Sequence, residues 1–410
     1  MGGSGVQRPV KFAKYLPKFG WDPIVLAPQP DVYHTFDESL SKEISDASVR
    51  VERIENKGLL KAGKKGVNPS PQNPLTASIL KLITSWFFLP DNKKGWINDA
   101  VDRGIELVKS ESVSTIFATA PPYSNLIAAG KIKERTGVPV VMDLRDDWLK
   151  SHLIHYPTSW HYRKMEQMEQ ETLSAANYLT AVNDYYTEGF KERLGDRCPP
   201  TSVIPNGFDR ENFENLSPAK DSHTFSILYS GLFYGSRKPD WFLKAVKKLM
   251  ERNSEFAKKI QLRFQGGLSS EHWKTINNLG LTSVVVDYGY LNHQDAVQNL
   301  MNADVLFLTL GDRKNIEAVT PGKVFEYIGT KKPILAFIPK GVTHHLLMNY
   351  GAATTVGIKD IDAGAEAIEH LFNMWKKGEL PEGDEEFSAH FERSHQTKRL
   401  AEILNRFTEG

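Results

Sequence analysis

The chain has 410 residues, 51 basic against 50 acidic, with 40% hydrophobic and 25% charged side chains. That length suits two domains of ordinary size, and the composition is that of a soluble globular protein. A net charge of +1 argues against broad nucleic-acid binding. The single cysteine, Cys198, excludes an internal disulfide and a cysteine-rich metal site, and suits a reducing cytoplasm.

Gly2, Gly3 and Gly5 come straight before Val10, Phe12, Ala13 and Leu16, which share one helical face over 6–19. Glycines in that place leave no apolar core for a signal peptide. A glycine loop opening a helix can cradle phosphate, which makes Gly3 a candidate ligand residue, although such a loop normally follows a strand. Residues 24–27 and 51–54 read as strands. Between 55 and 96, Lys57, Lys61, Lys64 and Lys65 precede an apolar run, 79–89, holding Trp86, Phe87 and Phe88. The run is shorter than the roughly 20 residues that span a bilayer. Peripheral membrane contact through 57–88 is one reading; a helix buried under a surface loop is the other.

A strand at 114–119 runs into Tyr123 and a helix at 125–136. The next strand, 139–142, delivers Asp143-Leu144-Arg145-Asp146-Asp147-Trp148. Charges just past the carboxyl end of an apolar strand sit where open α/β sheets bind ligands. Asp143 or Asp146 could orient or deprotonate a hydroxyl, and Arg145 could fork onto a phosphate or carboxylate. An internal Arg–Asp pair bracing the loop fits the same residues. His152, His155 and His161 have no convincing metal spacing and read as surface histidines. After a strand at 176–180, Asn183 caps a helix at 185–194, 201–205 is a strand, and a polar linker with Pro218 follows at 208–223.

The strand 225–230 opens onto Gly231, then Arg237 and Lys238, then a helix at 241–252 whose Trp, Phe and Leu form its core face. Glycine and adjacent cations at a helix start suit a diphosphate. Strands at 260–265 and 284–288, a helix at 296–303 and a strand at 304–310 lead to Thr320-Pro321-Gly322-Lys323. There a turn opens a helix over 323–328, whose first N–H groups have no intrahelical partner and can hold an anion. Glu326, one turn on, could accept hydrogen bonds from sugar hydroxyls; an ordinary crossover with a solvated Lys and Glu is the alternative. Gly329 stops that helix and Pro333 prevents its return before a strand at 334–337. A strand at 353–356, a helix at 363–377, an acidic linker with Glu382, Glu385 and Glu386, and a helix at 394–407 complete the chain.

The segment from Lys323 to Gly329, KVFEYIG, followed by Lys332-Pro333-Ile334-Leu335, resembles the donor-binding segment of glycosyltransferase family 4. So do the glycine loop ending in Lys238, the Asp143–Trp148 segment, Val203–Asp209 and the terminal helix. The resemblance implies an α/β, GT-B architecture: two Rossmann-like domains with parallel sheets facing a central cleft and a C-terminal helix crossing back. Its domains would be 1–208 on the acceptor side, 209–393 for the nucleotide-sugar, and the helix 394–410. The implied reaction is retaining transfer of a hexose from a UDP-, GDP- or ADP-sugar to an acceptor hydroxyl, without a metal or other cofactor. The acceptor would be a glycan or lipid-linked glycan in cell-surface polysaccharide or glycolipid synthesis, at the inner face of the plasma membrane. Lys238, Arg237, Asp143 and Asp146 would be catalytic. Gly3, Gly231, Tyr290, Leu291, Thr320, Pro321, Gly322, Lys323 and Glu326 would bind the donor, with Tyr290 and Leu291 at the base. Arg145 and Tyr123 would lie on the acceptor side. Three departures mark the chain: Leu232 where a basic residue is usual, Ala318 (beside Glu317) where many members have a second glutamate, and no strand ahead of Gly2. A nucleotide-sugar epimerase and a non-catalytic sugar-nucleotide scaffold are the alternatives.

Overall fold

The computed structural model describes residues 4–29, 38–54, 86, 88–151, 154, 156–214, 216–217 and 223–408. Gly3, the lysines of 57–65, most of the apolar run to Phe87, His152, His155 and Pro218 lie outside the described residues. The chain divides into two units, Met1–Asn206 with Ser394–Gly410, and Gly207–Arg393.

In the first unit, β1 (Ile24–Pro28) pairs with β2 (Arg50–Ile54), while β3 (Ile116–Ala120), β4 (Val140–Leu144), β5 (Tyr178–Ala181) and β6 (Thr201–Val203) pair in that order. Every pairing is parallel. Among the described residues no strand joins β1 to β3, so the sheet is in two pieces. The first helix, Ser4–Tyr15, tightens into a 3-10 turn, Leu16–Phe19, and ends at Gly20 with φ 83°. Its Phe12 and Leu16 pack with Val141 and Ile204, and the last helix, Arg393–Asn405, closes that core with Leu400, Ala401, Ile403 and Leu404. Asn183 accepts the Tyr186 N–H at the start of the Asp184–Leu194 helix, the local cap its side chain predicts.

The second unit carries β7 (Phe225–Ser230), β8 (Ile260–Gln265), β9 (Val285–Asp287), β10 (Val305–Thr309), β11 (Ile334–Phe337) and β12 (Ala353–Val356). Their order is β12-β11-β10-β7-β8-β9, all parallel. Along β10, Val305 and Phe307 join one core with Phe242 and Phe372, while Leu306 and Leu308 join another with Val324 and Ile328. Helices therefore cover both faces, as a parallel sheet buried on both sides requires. Beyond β9 the chain returns to the other side of β7. The β7/β10 boundary is thus a topological switch point, where an α/β sheet opens a crevice at its strand ends.

Three local expectations change, the first being His161, which is buried against Thr158 and not at the surface. Gly329 does not stop its helix, which runs Lys323–Thr330 and ends where Lys331 adopts φ 59°. The glycine is needed for packing, because a Cβ there would lie 2.7 Å from the Phe208 ring. The acidic linker contains a helical turn, Glu385–Ala389, capped by Asp384, and Glu385 pairs with Lys331. Among the described residues no helix is long and apolar enough to cross a membrane.

Candidate functional site

The site builds from the end of β7. Gly231, at φ 111°, donates its N–H to the Gln265 carbonyl at 2.7 Å. A Cβ on Gly231 would lie 2.7 Å from Lys323 Nζ, and one on Gly266 would lie 2.7 Å from the Gly231 backbone. Only glycine fits such a close approach at positive φ. Lys323 Nζ donates to the Ser230 carbonyl at 2.6 Å and lies 4.0 Å from the centre of the Tyr229 ring. The Tyr327 hydroxyl accepts the Ser230 N–H at 2.9 Å. The start of the Lys323–Thr330 helix is therefore tied to the mouth of β7, with the amides of Gly322 and Lys323 outside the helical ladder. Around Gly322 nothing would meet a Cβ within 4 Å, so the helix start is open to a ligand.

Arg237 lies close enough to Lys323 to repel its charge, and Arg313 reaches the same glycine loop as Arg237. Arg237 is 8% exposed, stands 4.8 Å over the Tyr234 ring, and its buried Nε has no hydrogen-bond partner among the described residues. Thr320 Oγ1 is likewise buried and unpartnered. Arg313 arrives from the loop after β10, donating from Nε to Ser236 Oγ at 2.9 Å. Among the described residues, none of Arg237, Arg313 and Lys323 forms an ion pair. Burial, and then repulsion by Arg237, pushes the Lys323 amine well below the usual lysine range, while Glu326 pulls the other way. Buried donors with no acceptor are costly, and a bound anion would satisfy them.

The other expected donor residues scatter around this centre. Pro321 is buried, and Glu326 is half-buried with a carboxylate that takes no hydrogen bond or ion pair among the described residues. Tyr290 is 90% exposed in the loop after β9, with Leu291 half-buried beside it. Lys238 is not drawn in: it lies in an exposed pair with Glu271 at 2.6 Å, which raises its pKa. Arg313 was missed, although its signal, a charge just past the carboxyl end of a strand, is the one that singled out 143–148.

In the first unit the expected chemistry gives way to bracing. Asp143 is fully buried; its two oxygens accept from Arg8 at 2.7 and 3.0 Å, Thr119 at 2.8 Å and Thr180 at 2.8 Å. Burial pushes its pKa up, but the charge and hydrogen bonds of Arg8 and the two threonines outweigh that and hold it low. A saturated, buried carboxylate cannot deprotonate a substrate hydroxyl, which corrects that expectation. Arg145 donates from each of its three nitrogens to the carbonyls of Gly5, Ala120 and Pro121, which ties it into the loop. Tyr123 is also enclosed, stacked 4.8 Å from Trp148 and donating to the Asp147 carbonyl at 2.9 Å. Asp147 joins Glu169 on Arg193 in a buried triad. Asp146 stays partly exposed.

No protein-family model matches the sequence, and no curated protein matches it. Solved structures do. A glycosyltransferase from Rickettsia africae superposes with a TM-score of 0.65 at 16% identity, covering 100% of this chain and 97% of that one. A sucrose-phosphate synthase from Thermosynechococcus elongatus gives 0.63 at 14% identity over 99% and 94% of the two chains. An Anabaena protein in complex with UDP and glucose gives 0.60 at 15% identity over 98% and 96%. The chain has the α/β fold with parallel sheets of GT-B glycosyltransferases.

Proposed function

We propose that this chain is a retaining glycosyltransferase that moves a hexose from a nucleoside-diphosphate sugar to an acceptor hydroxyl. The observation that carries the reading is the set of cations that form no ion pair among the described residues at the β7/β10 switch point, beside an open helix start. Arg237, Lys323 and the helix N–H groups would take the diphosphate and stabilise its charge as it departs. Glu326 would accept from ribose hydroxyls, and the Tyr290 ring would stack on the base. These cations can do the electrostatic work of a metal, so no cofactor is needed. Asp146, which is partly exposed, would orient an acceptor hydroxyl.

A thermal-shift screen of UDP, GDP, ADP and their hexose conjugates tests this. A ligand at a hundred times its Kd stabilises by about 2.7 kcal/mol, or about 5–10 °C for a unit of this size. One nucleotide series should shift the melt, and Arg237→Ala and Glu326→Ala should each reduce the shift. An unchanged shift in both variants would move the donor site elsewhere. A non-catalytic sugar-nucleotide binder is the second reading, favoured by the bracing roles of Asp143, Arg145 and Tyr123; nucleotide binding without transfer to any glycan acceptor would support it.

The acceptor we propose is a glycan on a lipid carrier, met at the cytoplasmic face of a membrane through 57–88. Trp86 is 46% exposed and Trp160, whose ring meets that of His161, is 63% exposed. Flotation with anionic vesicles should weaken when Trp86, Phe87 and Phe88 become serine, and unchanged flotation would remove the membrane contact.

A further inference from the structure

We propose that Arg313 is a third anion-holding residue of this site, gripping the glycine loop through Ser236 and presenting its other N–H groups to the donor diphosphate. The inference rests on the donor-site reading above and adds a residue to it. Three observations converge on this side chain.

Position comes first. Arg313 follows Gly311, the turn at the end of β10, and β10 is the strand that neighbours β7 at the switch point. The two loops interlock through glycines. A Cβ on Gly311, at φ 82°, would lie 2.7 Å from the Arg237 N, and a Cβ on Gly235, at φ 62°, would overlap the Arg313 guanidinium. Arg313 thus lies flat on the same loop that carries Arg237.

Pairing comes second. A guanidinium has five N–H donors in a planar fork, and among the described residues Arg313 uses only Nε, on Ser236. Its sequence neighbour Asp312 turns instead to Lys359, at 2.5 Å. Lys238, next to Arg237, is neutralised by Glu271. Among the described residues, carboxylates therefore pair with the cations just outside the cluster, whereas inside it Glu326 acts on Lys323 without an ion pair.

Stoichiometry comes third. The diphosphate of a nucleotide-sugar carries two charges. Two guanidiniums match two phosphates bidentately, while Lys323, anchored on the Ser230 carbonyl and the Tyr229 ring, adds a point charge beside them.

Calorimetry on the full chain with inorganic pyrophosphate, and separately with UDP, tests the proposal in Arg313→Gln, Arg313→Lys and Arg237→Ala. Glutamine can keep a hydrogen bond to Ser236 without the charge; lysine keeps the charge without the fork. Arg313→Gln should weaken pyrophosphate about ten-fold or more, the scale of a lost charge-assisted hydrogen bond. Arg313→Lys should recover part of that and show the wild-type melting temperature without ligand. Pyrophosphate binding to Arg313→Gln at wild-type strength, with Arg237→Ala impaired, would overturn the role of Arg313 alone. Failure of the wild-type chain to bind pyrophosphate or any nucleoside diphosphate would overturn the donor-site reading beneath it.

Discussion

Arg8 and Asp143 offer the sharpest test of what holds the first unit together. Arg8 is 3% exposed, forks onto Asp143, and donates to the carbonyls of Ile204 and Pro205 at 2.8 Å each. It therefore ties the first helix to β4 and to the chain just after β6. Arg8→Ala strands a buried carboxylate. Removing one partner of such a pair costs about 3–5 kcal/mol, which at about 2–4 °C per kcal/mol lowers the melting temperature of this unit by about 6–20 °C. The sign of the pH dependence follows from the same contacts. In the wild type the Asp143 pKa is held low, so its contribution is present above the unfolded value, near 4, and is lost as pH falls through the lower folded value. In the variant burial acts without Arg8, the folded pKa rises, and the penalty is relieved as pH falls towards 4. Thermal melts followed by circular dichroism from pH 4.5 to 8 should show the widest gap at neutral pH. The double variant Arg8→Met, Asp143→Leu should recover much of the loss, because a buried pair replaced by apolar groups leaves no stranded charge. A loss below about 1 kcal/mol, or a gap independent of pH, would refute the bracing role.

Lys323 should make anion binding pH-dependent. Its folded pKa is depressed by burial and by Arg237, with Glu326 opposing and the Tyr229 ring beside it. A bound anion would restore the charge and take up a proton, so pyrophosphate affinity should fall as pH rises through that depressed pKa. Calorimetry compared with Lys323→Met cancels the titration of pyrophosphate itself; identical pH profiles would exclude proton uptake at Lys323. Lys238 and Glu271 form an exposed pair, so Glu271→Ala should leave the melting temperature unchanged. If Lys238 moves to the diphosphate during turnover, Glu271→Ala should preserve or raise the transfer rate while Lys238→Ala lowers it. Equal loss in both variants would show that the pair matters for its own sake.

The sequence by itself determined the local structure. A mostly apolar run placed β7 and a fully apolar one β11, while alternation placed β8, on the expected residues, because burial on one face or on both is written into a strand at period two. Asn183 foretold its helix start, since a cap acts over three residues. The helix opening at Lys323 was legible for the same reason, from a Pro-Gly turn followed by good helix formers. Partners distant in the chain were decided only by the tertiary structure. Asp143 looked like a catalytic carboxylate until the fold delivered Arg8 to it from the first helix, and nothing local signals a contact spanning 135 positions. Gly329 looked like a helix stop but is the hollow that admits Phe208. Arg313 acquired its place when β10 packed against β7. A titratable side chain has the same letter whether it faces water, a brace or a ligand. What distinguishes them is desolvation and the charge opposite, and both are properties of the packed chain.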